Sequence, residues 1–203
     1  MTTTAQTNTF EVFIKIIKKW LIDLGVNARL FTELAGDEAL PMWARSLATG
    51  VLQYLNVPVD LIPEKLRFIG LIDDMLVMII GLVIIAPQIP EDRLTYYRQK
   101  YEAAGKIGEY ELNLKSTLGI LWERFTRFVE TLQKRTYKNK TTEEVAQSAE
   151  LREALFDEAM VFVANIGLDP ETLDKETKLL PSPEKVMGLL SSGLEEAQKH
   201  DKN

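Results

Sequence analysis

The chain has 203 residues, 46% hydrophobic and 27% charged, which is enough apolar material for the core of a globular protein and fits one large domain or one domain with an extension. It has no cysteine, and its one histidine, His200, is the fourth-last residue. Disulfides, thiolate nucleophiles, cysteine-ligated zinc and imidazole acid–base catalysis are thereby set aside, and any chemistry falls to carboxylates, lysines, hydroxyls or backbone groups.

The periodicity is helical almost throughout. Residues 10–24 place Phe10, Phe13, Ile17, Trp20, Leu21 and Leu24 on one face, with Lys15, Lys18, Lys19 and Asp23 off it. Gly25 is expected to end that helix in the left-handed conformation. Asn27 is positioned to cap a short helix, Ala28–Leu34, stopped by Gly36, and Pro41 suits the first turn of a third helix from Met42 to about Leu55. A turn-rich segment, 56–72, precedes an apolar helix from about Asp73 to Ala86, closed by Pro87 and Pro90.

Pro90-Glu91-Asp92 opens the next helix, with acids at the positive end of its dipole, running to about Ala104 before Gly105 and Gly108 interrupt it. The longest predicted helix is 109–136, with Leu114, Leu118, Leu121, Phe125, Phe128 and Leu132 as its stripe. After the polar break Lys138-Asn139-Lys140, Thr141-Thr142-Glu143-Glu144 resembles a capping box opening a helix to Ile166, ended by Gly167. Asp169-Pro170 and Ser182-Pro183 each start one more helix, the last ending near Gln198. No stretch alternates long enough for a sheet and no solenoid repeat is visible. The expectation is an all-α fold: a compact helical bundle with a central apolar helix, plus C-terminal acidic helices. Its parts are a helical core at 8–105, a long amphipathic helix packing on it at 106–140, and an acidic extension at 141–203.

The net charge of −6 is uneven: 18 Lys/Arg against 16 Asp/Glu in residues 1–140, then 6 against 14 in residues 141–203. The small basic cluster Lys134, Arg135, Lys138, Lys140 suits a solvated helix end, so no nucleic-acid partner is expected. The N-terminus lacks the basic-then-apolar pattern of a signal peptide, and the missing cysteines fit a reducing compartment, so a cytoplasmic location is expected.

Tyr54-Leu55-Asn56-Val57-Pro58-Val59-Asp60-Leu61-Ile62-Pro63, with Glu64 and then Gly70-Leu71-Ile72-Asp73-Asp74, resembles the YkvA-like family, a bacterial domain of unknown function, over about residues 42–90. The chain departs from that pattern at Val57, where the family often has serine, and at Arg67, where it often has a second proline; the second departure makes the 64–70 connection more helical. The resemblance implies a compact helical hairpin and a leaning toward membrane association. It supplies no catalytic residues.

Asp60 is placed to cap a turn, and Asp73 and Asp74 stand where an apolar helix begins and its dipole favours acids. The alternative is a metal or proton-handling site built from Asp60, Asp73, Asp74 and Glu64. Adjacent helical carboxylates diverge by about 100°, so one of the pair would join Asp60 across the hairpin and the other would face water or a basic partner such as Arg45. An all-oxygen set would select magnesium or calcium.

Met75–Pro87 is 13 residues, about 20 Å of helix against about 30 Å of hydrocarbon, so the run reads as a buried core helix. Helix 10–24, with Trp20 and three lysines, could lie on an anionic membrane or cover the core. Two functions of different classes follow. One is a non-enzymatic cytoplasmic adaptor or peripheral membrane protein, with a protein partner, a membrane surface or a second copy of itself. The other is a carboxylate-dependent metal-binding protein or enzyme using Asp60, Asp73 and Asp74.

Overall fold

The computed structural model describes residues 2–56, 61–62, 64–167 and 169–200. The chain is all-α apart from one two-residue strand pair. The elements run α1 (Thr2–Ile22), α2 (Leu24–Gly36), α3 (Met42–Tyr54), a 3-10 segment (Glu64–Leu71), α4 (Ile72–Ile85), a 3-10 turn (Ala86–Gln88), α5 (Glu91–Lys100), α6 (Glu102–Gly105) and α7 (Ile107–Leu118). Then come α8 (Leu121–Thr131), a 3-10 turn (Leu132–Lys134), β1 (Thr136–Tyr137), β2 (Lys140–Thr141), α9 (Thr142–Gln147), α10 (Ala149–Ile166), α11 (Pro170–Lys178) and α12 (Pro183–His200).

The apolar helix is the centre of the bundle. Twelve of the 14 residues of α4 are buried, because α1, α3, α7, α8 and the 3-10 segment pack around it. The stripe of helix 10–24 faces the same core: Phe13, Ile17, Trp20, Leu21 and Leu24 are buried. Helical structure continues on both sides of α4, so the apolar run Phe68–Gln88 reaches 21 residues. That length is enough to cross a membrane. The expectation of 13 residues was too short because the 3-10 turns extend the run, and burial inside the protein, not length, marks it as a core helix.

Several expected boundaries move, each for a local reason. The α1–α2 break falls at Asp23, and Gly25 lies inside α2. A side chain there would meet Met160 of α10 at 3.1 Å, so the glycine serves helix contact rather than termination. Asn27 is a buried residue of α2, not its cap. The predicted helix 109–136 is two helices, parted at Gly119 with φ 53° and ψ −120°, a conformation open to glycine alone. Its stripe survives the bend, since Leu114, Leu118, Leu121, Phe125, Phe128 and Leu132 are all buried.

Helix 91–104 breaks at Tyr101, whose extended backbone turns its ring inward, 6.5 Å from that of Tyr97. The helix expected from Thr141 breaks at Ser148, which turns extended and accepts from the Leu151 N–H. The polar break is a hairpin: Lys138 (φ 50°) and Asn139 (φ 60°) turn β1 back on β2, as a two-residue turn with both φ positive does. The Thr141–Glu144 capping box, the Gly167 stop and the Asp169 cap stand as expected, and Arg67 lies in a 3-10 helix.

The acidic C-terminal helices close onto this bundle. Leu155, Ala159, Leu173, Val186, Leu190 and Leu194 join the apolar core. Arg29 holds Glu153 through both carboxylate oxygens (2.7 and 2.8 Å) and lies 3.6 Å over the Phe156 ring. Two glycines mark the tightest seams. A Cβ on Gly50 would sit 2.3 Å from the Leu132 carbonyl oxygen, and one on Gly193 would sit 2.1 Å from that of Leu61. Gly50→Ala is expected to cost about 1–3 kcal/mol in urea denaturation through overpacking, whereas Gly188→Ala, in open space on α12, should gain about 0.5–1 kcal/mol.

Candidate functional site

Tyr54, Leu61, Ile62 and Asp73 of the turn signature meet inside the protein. Tyr54 ends α3, Asp73 stands in the first turn of α4, and Leu61-Ile62 pass between them. One carboxylate oxygen of Asp73, Oδ2, receives the Tyr54 hydroxyl (2.8 Å), the Leu61 N–H (2.8 Å) and the Ile62 N–H (3.3 Å). The Leu61 N–H also donates to the Tyr54 oxygen at 3.1 Å. Asp73 therefore does not cap its own helix, as its place there suggested: α4 has no side-chain cap, and the carboxylate reaches back to pin the preceding turn. Its other oxygen, Oδ1, is buried and accepts no hydrogen bond among the described residues.

Asp74 is buried beside it. Asp60 lies outside the described residues, as does the side chain of Glu64. Among the described residues no three His, Cys, Asp or Glu side chains gather as a metal site would need. Arg45, the expected basic partner of the aspartate pair, is engaged elsewhere. Its Nε donates to the Ala35 carbonyl (3.0 Å) and an Nη to that of Ala146 (2.8 Å), so it caps the C-terminal ends of α2 and α9.

Burial raises Asp73 from the usual carboxylate range to about 6, against the bonds from Tyr54, Ile62 and Leu61, which lower it. Burial and the neighbouring carboxylates push Tyr54 well up, so its hydroxyl stays protonated and donates.

A second cluster escaped the sequence. Asp37, in the turn after α2, accepts from Arg93 Nε (2.9 Å), the Tyr97 hydroxyl (2.8 Å) and the Ala39 N–H (3.1 Å). Burial alone would raise it, but these donors outweigh burial and hold it below its usual value. The partners lie 56 and 60 residues away, so no local spacing announces them. The cluster lines a cleft of about 450 Å3 between α2, α5 and α10, whose walls include Glu33, Tyr96, Arg152 and Glu153.

The opposite shifts of these aspartates set the pH response. Above pH 6 a charged, buried Asp73 disfavours the folded state. Because its folded value exceeds its unfolded one, stability rises as pH falls through 6 toward 4. Chemical denaturation at pH 7.5 and 5 should show a gain of about 1–1.5 kcal/mol, flattened in Asp73→Asn, which keeps an acceptor oxygen. Tyr54→Phe should cost about 1–3 kcal/mol by removing a donor from a buried carboxylate.

No curated protein and no solved structure matches the chain. Residues 44–80 match the model of a family described as a protein of unknown function (DUF1232), with which the YkvA-like resemblance is consistent; that stretch holds Tyr54, Asp73 and Asp74.

Proposed function

We propose that this chain is a non-enzymatic α-helical module, a cytoplasmic adaptor that acts by binding a protein partner. One observation carries this reading: Asp73, the best candidate for chemistry, is fully buried and holds the Leu61–Ile62 turn in place. The signature is then a fastening of the fold, and what the molecule offers outward is surface. That surface includes Trp43, Tyr96 and the exposed acids Glu150, Glu153 and Asp157 of α10, and aromatic groups of this kind anchor protein interfaces.

The peripheral-membrane form of the reading has less support. The apolar face of α1 is buried, Lys18 pairs with Asp174, and Lys19 pairs with Asp23 and Glu102, which leaves Lys15 alone of the three lysines outside an ion pair among the described residues. Affinity capture at pH 7 and co-sedimentation with anionic vesicles test both forms. A protein partner retained by wild type and by folded Asp73→Asn is the expected result. Capture of neither protein nor lipid would sink the proposal.

The metal-binding alternative is favoured by one observation, the buried Asp73 Oδ1 with no donor among the described residues. Thermal melting with magnesium, manganese or calcium separates the readings. No shift is expected for the adaptor. A gain of about 2.7 kcal/mol at a hundredfold over the dissociation constant, lost in Asp60→Ala and in Asp73→Asn, would establish the alternative.

A further inference from the structure

We infer that the cleft between α2, α5 and α10 binds an anionic group, a carboxylate or a phosphate, with Arg152 as its anchor and Arg93 at its rim. The inference goes beyond the adaptor reading and rests on the two arginines of the cleft, Arg152 and Arg93.

The acids of the cleft are already satisfied. Asp37 holds Arg93 and Tyr97. Glu33 takes Lys100 at 2.6 Å and the Tyr96 hydroxyl at 3.3 Å. Glu153 takes Arg29 through both oxygens. Arg152 has no acidic partner in contact among the described residues. One Nη donates to the Ala146 carbonyl at 2.6 Å, and the rest of its five-donor fork has no acceptor there. Arg93 gives its Nε to Asp37 and lies 5.4 Å over the Tyr96 ring, and no second carboxylate holds it among the described residues.

Charge counting points the same way. Arg45 stands beside Arg152 and donates to the same Ala146 carbonyl, and its charge bears on Arg152. The compensation comes from two helix C-termini, those of α2 and α9, each equivalent to about half a negative charge. Two guanidinium charges against that leave roughly one positive charge at the Arg45–Arg152 pair, of which Arg152 lines the cleft. Glu153 and Glu38 also act on Arg152 through space, but Glu153 is matched by Arg29 and Glu38 is exposed, where water screens it. Partial burial and the neighbouring Arg45 charge lower Arg152 from its usual value.

The shape suits a small ligand. Gly36 presents no side chain where a Cβ would lie 2.9 Å from Arg152 Nε, so the guanidinium lies flat on the end of α2. The cleft volume of about 450 Å3 falls in the range of small-molecule sites, and Tyr96 supplies an aromatic wall for the ligand's organic body. A planar guanidinium fork matches carboxylate and phosphate oxygens in pairs.

Calorimetric titration of the full chain with inorganic phosphate and, separately, with acetate, at constant ionic strength in chloride, tests the site. Saturable binding of either anion is expected, and the one that binds names the chemistry. Arg152→Gln should weaken it by about tenfold or more, and Arg93→Gln by a smaller factor. Should Arg152→Gln fail to melt cooperatively, Arg152→Lys, which keeps the charge and a donor for Ala146, decides the matter through a measurable loss of affinity. Absence of saturable binding by either anion, or wild-type affinity in the folded Arg152 variant, overturns the inference.

Discussion

The constraint on which the molecule depends is that α4 must be covered on every side. A helix with an apolar stripe needs one neighbour, but a helix apolar all round needs a ring of them. Each large apolar side chain taken from water contributes about 1.5–3 kcal/mol, more than a typical hydrogen bond at about 1 kcal/mol. The positions of α1, α3, α7 and α8 follow from that imbalance. So does the glycine bend at 119, which lets one apolar stripe continue through two helices instead of projecting past the end of the core.

Two of the buried aspartates, Asp73 at the start of α4 and Asp37 after α2, show different solutions to the same electrostatic problem. Asp37 is matched by a guanidinium, and its charge stabilises the fold. Among the described residues Asp73 receives neutral donors, a phenol and two amides, and burial outweighs them. Neutral donors satisfy an oxygen's hydrogen bonding without supplying the counter-charge that burial demands. The Asp73 arrangement fixes the geometry of a turn rather than adding stability at neutral pH, and α12 seats Gly193 against the Leu61 carbonyl of that turn.

The helical character and the core-facing stripes were legible because 3.6-residue periodicity is local information. The capping box at Thr141 and the caps at Asp169 and Gly167 were legible for the same reason. The roles of Gly25 and Arg45 were not. Gly25 carries the mark of a helix stop, yet contact with Met160 explains it, and Arg45 serves the ends of two helices, one of them 101 residues distant. The breaks at Tyr101 and Ser148 follow from packing and capping that competed successfully with good helix propensity. Of the candidate site, Asp73 was identified but its partner Tyr54 was read only as part of a family pattern, and the Asp37–Arg93–Tyr97 cluster had no local trace.

The order of the elements has a consequence for how the protein is made. The apolar run ends at Gln88, whereas α8, on one of its flanks, ends at Thr131, and α12, which closes over the turn leading into α4, ends at His200. At about 5–20 residues per second, a ribosome leaves that run without α8 for roughly 2–9 seconds. During that interval the nascent chain displays a 21-residue apolar segment of spanning length, the feature that membrane-insertion machinery and chaperones read. The fate of the protein is therefore open to a kinetic contest, in which helices encoded late in the chain must arrive before the early one is captured.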